Sequence, residues 1–489
     1  MESTGTKGRI QISQATAELV LKAGKQKWIT KREETVQAKG KGKIQTYWIN
    51  SKEFNDAKNH NNSTNSISET SISSHSSDSK KNGIWGDVSQ KDEGFRQRLI
   101  DWQVDLLSKL LKQIVASRGP KSSGGAQSRE VQEMRNSKPR DEIAEVINMP
   151  AYDPLKERYS VELDSFELEP KVVSKLKDMV TSIETLYQNN PFHNFPHACH
   201  VTMSASKLLS RIVSTGRKEE KERESGKNLH EYTFGLRSDP MTQFAIVFSA
   251  LIHDLNHNGV TNGQLVEEKN RIAIAYDNKS VLEQNSVDLA WELFSDPNYK
   301  ELVAVICPDE SDYRRFRQLL VNCVMATDIF DKELLAFRNN RWDKAFHNTG
   351  SQSVESDLKA TIVIEHVIQA ADVSHTMQHW HVYTKWNERL FAEVYAAYQC
   401  GRGPKKDPVE TWYNGELWFF DNYVIPLAKK LEECGVFGVS SSECHNYALE
   451  NRKEWAVKGK DIVAKMAAKY KDVDFSKARS ASSKRGFGI

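Results

Sequence analysis

Apolar residues recur at intervals of three and four through most of this chain. From about residue 140 to 475 the pattern predicts helix after helix, over Val172–Leu186, Phe244–Asn256, Val281–Phe294, Tyr313–Ala326, Lys332–Phe337, Leu358–Ala371 and Trp418–Leu431. No sustained apolar–polar alternation interrupts them, so residues 139–476 read as one all-α, multi-helix domain. A further helix is expected over 94–117, where Phe95, Leu99, Trp102, Leu106, Leu107, Leu110, Leu111 and Ile114 fall at helical spacing. Its face suits packing on the following domain, or pairing with a second copy in a homodimer.

The first 50 residues follow another pattern. Ile10–Ile12 and Lys43–Ile49 have strand character, and Gln14–Ala23 reads as a short helix opened by Ser13. With Trp28, Tyr47 and Trp48 this segment is too apolar for a free tail, and it forms a small α/β unit. Ten Lys or Arg against four Glu make it basic. Residues 51–93 turn to Ser, Asn, Asp and Lys and are expected to be a disordered linker, because little apolar area is available for burial. A second linker is expected over 118–138 and a disordered tail over 477–489. The run Gly216-Arg217-Lys218-Glu219-Glu220-Lys221 reads as a charged surface insertion.

The formal net charge of +2 lacks the basic excess of a nucleic-acid-coating protein. No run of apolar residues is long enough to span a membrane. The six cysteines form no CxxC pair, which fits reduced thiols in a cytoplasmic protein, or on the cytosolic face of a membrane within a longer parent.

The chemistry is concentrated in a few residues. His253 and Asp254 end the apolar run Phe244–Ile252, where an unpaired carboxylate is costly to bury. A divalent cation shared by the two side chains would compensate that charge. His193 and His197, with Pro196 between them, suit the start of a helix. His253 and His257 stand four apart, as on one helix face. Asp372 closes the apolar run Ile362–Ala371. Two histidines, a His-Asp pair and a distant Asp fit a hydrolytic two-metal site. Cys199 is a poorer candidate, since oxygen and nitrogen donors suit such a site better than a thiolate.

The segments HNFPHACHV, HDLNHNGVTN, SVLEQN, MATDIF, AADVSH and NRKEW, in that order between 193 and 455, resemble the markers of the class I 3′,5′-cyclic-nucleotide phosphodiesterases. The resemblance implies hydrolysis of cyclic GMP or cyclic AMP to the 5′-monophosphate by a metal-activated hydroxide. His197, His253, Asp254 and Asp372 would hold a first cation, Zn2+, with Asp254 bridging to a second, Mg2+. His193 would be the general acid toward the 3′-oxygen. His257 and Glu283 would orient ligands and waters, and Phe419 would cover one purine face.

The chain departs from that pattern at Phe192 (usually Tyr), His200 (usually Asp), Gln284-Asn285 (commonly Asn-His) and Trp418 (usually Gly). Glu416 stands where the family places its purine-binding Gln. An ionised Glu only accepts hydrogen bonds, which suits the N1–H and 2-amino edge of guanine better than adenine. The alternative is that Glu416 points to solvent. Two rival readings are another HD-type nucleotide phosphohydrolase, which would lack the HNxxHA and NRxxW markers, and a weakened domain that senses a cyclic nucleotide without turnover.

Residues 1–50, through Gly8–Ser13, Lys39–Lys43 and Thr46-Tyr47-Trp48, resemble the C-terminal end of a class III nucleotide cyclase domain, with Lys39 or Lys41 near the triphosphate. The metal-binding carboxylates of that family are absent, so no cyclase activity is expected. The order of the two resemblances is that of a cyclase–phosphodiesterase fusion, of which this chain is expected to be a truncated product or gene model.

Overall fold

A computed structural model describes residues 10–22, 26–38, 42–49, 93–118, 137–154, 167–212, 222–347, 352–473 and 475. Most of both expected linkers, the tail from 477, the insertion at 216–221, Lys39 and Lys41 lie outside them. The chain divides into two units, Met1–Lys80 and Lys81–Ile489.

In the first unit β1 (Ile10–Ser13) runs into α1 (Gln14–Lys22), followed by β2 (Ile29–Lys31), β3 (Val36–Ala38), β4 (Gly42–Ile44) and β5 (Thr46–Ile49). Ser13 Oγ accepts from the Thr16 amide at 3.2 Å, which explains the helix start. β5 pairs antiparallel with β1, Ile12 opposite Tyr47, and with β2, Ile29 opposite Ile49. β3 and β4 form a separate hairpin. The single strand expected over 43–49 is therefore broken. Gln45 Nε2 donates to the carbonyls of Arg32 at 2.7 Å and Thr46 at 3.0 Å, so its side chain takes the place of ladder bonds where the chain changes partner.

The second unit is helical. Its long elements are α2 (Glu93–Arg118), α3 (Pro170–Leu186), α4 (Phe195–Ser210), α5 (Pro240–Ile252), α6 (Val281–Phe294), α7 (Glu310–Met325), α8 (Lys332–Trp342), α9 (Gln352–Asp372), α10 (Trp380–Gln399), α11 (Pro408–Phe419), α12 (Ile425–Glu433) and α13 (Glu443–Tyr470). Aspartates at 309, 331 and 407 cap α7, α8 and α11 through the amides two or three residues on. No described helix is long and apolar enough to cross a membrane.

α5 is the axis of this unit. Every residue from Met241 to Ile252 is buried, and α2, α4, α7 and α9 pack around it. A helix apolar on all sides is stable only when surrounded in this way. Phe244 and Phe248 stack 6.0 Å apart and meet Phe294 of α6 and Phe316 of α7. Truncating Phe244 to Ala would cost about 3–5 kcal/mol through lost burial and the cavity left behind.

Two elements differ from the expected pattern. In α2 the buried stripe is Ile100, Gln103, Val104, Leu107, Leu110, Leu111 and Ile114, while Phe95 and Trp102 are exposed. The aliphatic positions make a continuous stripe that the two aromatics only flank. The helix expected over 418–431 is split by a π-helical turn, Phe420–Val424. Pro426 lacks the N–H that would bond back to residue 422, and the ladder widens just ahead of it.

Candidate active site

The start of α4 places the first two histidines. Asn194 caps the helix by accepting from the His197 amide at 3.0 Å, and Pro196 fills the first turn. His193 thus precedes the helix and His197 lies inside it, fully buried. The end of α5 places the next pair. The helix stops at Ile252, four residues earlier than its pattern suggests, so His253 and His257 do not share a helical face. Instead Asn256 turns the chain with a φ of 58°, and the His257 amide closes onto the Asp254 carbonyl at 3.1 Å. Gly259 has a φ of 72°, and a Cβ there would stand 3.2 Å from Asn190 Oδ1 and 3.5 Å from Glu393 Cγ. Glycine lets this loop close over the site. Asp372 is the last residue of α9.

These ends converge. His253 Nε2 lies 3.0 Å from Asp254 Oδ2 and 3.3 Å from Asp372 Oδ1. His197 Nε2 lies 3.2 Å from Asp372 Oδ1 and 3.7 Å from Asp254 Oδ2. The imidazoles form a buried floor, and the carboxylates, 15% and 22% exposed, form the rim. His253 Nδ1 donates to the Ala250 carbonyl at 3.0 Å, which leaves Nε2 as a lone-pair donor. His253 Nε2 and Asp254 Oδ2 are buried without a hydrogen-bond partner despite their closeness. Two ligand atoms each about 2.1 Å from one cation stand about 3.0–3.4 Å apart. His197, His253 and Asp254 converge closely enough to hold a divalent cation, with Asp372 Oδ1 beside the two imidazoles, and the orphaned atoms are what such an ion would satisfy.

Asp254 also belongs to a second set of converging donors with His193 and His257. Here His193 is engaged otherwise. Its Nδ1 bonds Glu393 Oε1, and Glu393 Oε2 accepts from the amides of Phe192 at 2.9 Å and His193 at 3.0 Å. Burial opposes the imidazolium, but Glu393 and Asp254 outweigh it and hold His193 up at about 9. The same contact overcomes burial at Glu393 and draws it down to about 2. His257 stacks on His193 with ring centroids 3.8 Å apart; burial and that neighbouring charge push it down to about 4. Sequence reasoning missed Glu393, whose signal was a lone carboxylate beside Phe391 and Ala392 on an amphipathic helix. It also missed Asn190, whose amide ties the carbonyls of His193 and His257 at 3.0 and 2.6 Å.

Glu283, at the start of α6, accepts from Asn262 at 2.9 Å. Burial, followed by the nearby Asp328 carboxylate, raises it to about 8. His200 rests against Trp386 with ring centroids 4.9 Å apart, and burial and His197 lower it to about 4. The exchange of Asp for His here therefore places a neutral ring, not a cation, beside the histidines. Phe192 lies against His197 at 4.4 Å.

Glu416 does not point to solvent. It is 9% exposed and accepts from the Tyr383 hydroxyl at 2.7 Å, and burial raises it to about 7. Phe419 is half-buried and stacks on Tyr423, and Trp418 is 57% exposed.

The profile of the 3′5′-cyclic nucleotide phosphodiesterase family matches residues 192–436, half of the chain. The chain belongs to that family. The profile of the adenylate and guanylate cyclase catalytic domain matches residues 1–51, in agreement with the cyclase-like remnant. Among similar proteins, a human dual-specificity calcium/calmodulin-dependent 3′,5′-cyclic nucleotide phosphodiesterase 1C is 28% identical over 46% of this chain and 27% of its own length. A probable 3′,5′-cyclic-AMP phosphodiesterase from Caenorhabditis elegans is 27% identical over 45% of this chain and 30% of its own length. The chain thus spans less than a third of these relatives. The phosphodiesterase domain of a rhodopsin phosphodiesterase fusion from the choanoflagellate Salpingoeca rosetta aligns with a TM-score of 0.49 at 20% identity, over 70% of this chain and 99% of that one.

Proposed function

We propose that this chain hydrolyses 3′,5′-cyclic nucleotides to 5′-monophosphates, with His193 as the general acid. The observation that carries the reading is the convergence of His197, His253, Asp254 and Asp372 beside a His193 already paired with Glu393. The His2Asp2 donor set suits Zn2+, and a second cation sharing Asp254, Mg2+, suits oxygen ligands. When bound, the two cations acidify water and neutralise charge on the phosphate. Glu393 holds the His193 ring at Nδ1 and keeps it protonated, so Nε2–H is free to protonate the 3′-oxygen as its bond to phosphorus breaks. His257 stacks on that ring and fixes its plane, while Glu283, held by Asn262, would orient ligands and waters. We assign Glu416 and Phe419 to the purine, with Glu416 favouring guanine. We place this activity in cyclic-nucleotide signalling, and the six unpaired cysteines support a cytoplasmic location.

The test is hydrolysis of cyclic AMP and cyclic GMP side by side by the full chain with Zn2+ and Mg2+. Release of the 5′-monophosphate, lost in Asp372→Ala, is expected. Binding of either nucleotide without turnover, with metals bound, would replace this reading with that of a sensor domain, for which the changes at His200 and Glu416 speak.

A further inference from the structure

One arginine grips both elements that carry Glu283 and its neighbouring carboxylate, Asp328. Arg140 lies in a short helical turn, Pro139–Glu142, ahead of the family-matched residues 192–436. Its Nη1 donates to Ser280 Oγ at 2.9 Å and to Asp331 Oδ2 at 2.7 Å. Its Nη2 donates to Asp331 Oδ1 at 3.2 Å and to Glu333 Oε2 at 2.9 Å, and its amide donates to Gln284 Oε1 at 3.2 Å. Ser280 and Gln284 flank Glu283 at the start of α6. Asp331 caps α8, and the amides of Phe330 and Asp331 each hold Asp328 Oδ1 at 3.1 Å. The Arg140 side chain, 13% exposed, thus ties together the two stretches of backbone that present Glu283 and Asp328.

The backbone before Glu283 needs such a grip. Asp277, Asn278 and Ser280 have φ of 54°, 60° and 42°, three left-handed residues within four positions and none of them glycine. Asp and Asn enter that region readily; Ser does so at a cost, and such backbone persists only where its surroundings over-determine it. Here they do. Lys138 pairs with Asp277, Lys279 pairs with Glu333 at 2.8 Å, and Gln284 Nε2 donates to the Lys279 carbonyl at 2.7 Å. Ser280 stands at the cap position of α6 but gives it no side-chain cap; its Oγ accepts from Arg140 instead. Two neighbouring carboxylates repel, so Glu283 and Asp328 stay together only in a fixed frame or around a cation.

We propose that Arg140 is a positioning residue for the second cation: it fixes Glu283 against Asp328, and so sets the affinity of the site for Mg2+ from a turn that precedes the family-matched region. The proposal rests on the phosphodiesterase reading, in which Glu283 orients ligands and waters. Glu283, Asp328 and Asp254 influence one another as neighbouring carboxylates, an oxygen-rich set that suits Mg2+. Residues behind such ligands tune metal affinity without touching the ion. Lysine is a poor substitute at 140, because a single ammonium cannot fork across a hydroxyl and two carboxylates.

The experiment titrates Mn2+, a paramagnetic stand-in for Mg2+, into the full Zn2+-loaded chain and reads the free ion by EPR. In parallel it follows hydrolysis of cyclic AMP and cyclic GMP against Mg2+ concentration. Arg140→Ala is expected to weaken Mn2+ binding about 10–100-fold and to raise the Mg2+ needed for half the maximal rate by the same factor. Its kcat should recover at saturating Mg2+, with Zn2+ content unchanged, and Arg140→Lys should restore the affinity only in part. Glu142→Gln is the control: it weakens the ion pair of the same turn with Arg317, 2.7 Å, and should lower the melting temperature while leaving Mn2+ affinity as it is. If Arg140→Ala does not fold, Ser280→Gly keeps the test decisive. Glycine takes a φ of 42° without strain and removes one arm of the grip, so a smaller loss of Mn2+ affinity is expected. Unchanged Mn2+ affinity in Arg140→Ala, or in Ser280→Gly where the first does not fold, with hydrolysis intact, overturns the positioning role and leaves the phosphodiesterase standing. Equal weakening by Arg140→Ala and Glu142→Gln shows that the turn only supports the fold, and overturns the role as well. Hydrolysis of neither nucleotide by the natural chain at any Mg2+ concentration overturns the phosphodiesterase reading and the proposal with it.

Discussion

The metal end and the Glu416 end of this site are built on opposite principles. At the metal end four side chains, from α4, from the turn that follows α5 and from the last residue of α9, bring polar atoms together and leave His253 Nε2 and Asp254 Oδ2 buried without partners. Buried polar atoms without partners are unfavourable, and a bound cation would relieve that cost. At the Glu416 end the polar groups satisfy one another through Trp412, Asn387 and Tyr383. Side chains that share one ion would tolerate little substitution, because each would answer to the same charge. A self-satisfied network tolerates an isosteric exchange such as Gln to Glu, because either residue offers Tyr383 a carbonyl or carboxylate oxygen as acceptor.

The strongest way to break this comparison is to remove a ligand. Asp372→Ala is expected to lose about a thousandfold or more in kcat together with bound metal, read by elemental analysis. His193→Ala should lose about 10²–10⁴-fold in kcat with metal content unchanged, which separates the proton donor from the cation ligands. If metal departs with His193, the second donor set of His193, Asp254 and His257 is a true ligand set.

Chelation comes next. A cation that binds only the folded chain adds about 3 kcal/mol when present at one hundred times its Kd, so stripping it should lower the melting temperature, and restoring Zn2+ should recover it. Glu393→Gln tests the link between the histidine and its partner. Glu393 is the chief charge opposing desolvation at His193, which it helps hold at about 9. As the proposed proton donor His193 would act below that value, so the alkaline limb of kcat should move to lower pH in the variant, with a loss of about 10–100-fold.

The smallest effect belongs to the Glu416 end. Its folded value of about 7 stands above the ordinary 4.5, so the folded state holds the proton more tightly than the unfolded chain. Stability from this group is present below about 4.5 and is lost as pH rises through 7. Glu416→Gln should therefore melt a few degrees higher than the natural protein at pH 8 and equally at pH 4.5. Equal melting at both would show that the carboxyl relaxes toward water.

Legibility differed between these ends for physical reasons. The proposed metal ligands sit at or just beyond helix ends marked by Asn194, Pro196 and the exhausted apolar runs of α5 and α9, so local pattern singles out their neighbourhood. Glu393 and Tyr383 are single polar positions on an amphipathic helix, and nothing local distinguishes them from solvent-facing groups. Glu416 could be located from the order of residues before Phe419, yet whether it was buried remained open.

The sequence by itself determined the all-α class, the extent of most helices and the family. Those follow from periodicity, caps and residue chemistry, which act over a few neighbours. Only the tertiary structure decided that α5 ends before His253, that Glu393 grips His193 from 200 positions away, and that Trp412 directs the hydrogen bonds reaching Glu416. These depend on which helices lie side by side, and helix packing depends on the summed burial of the whole core, not on any local run.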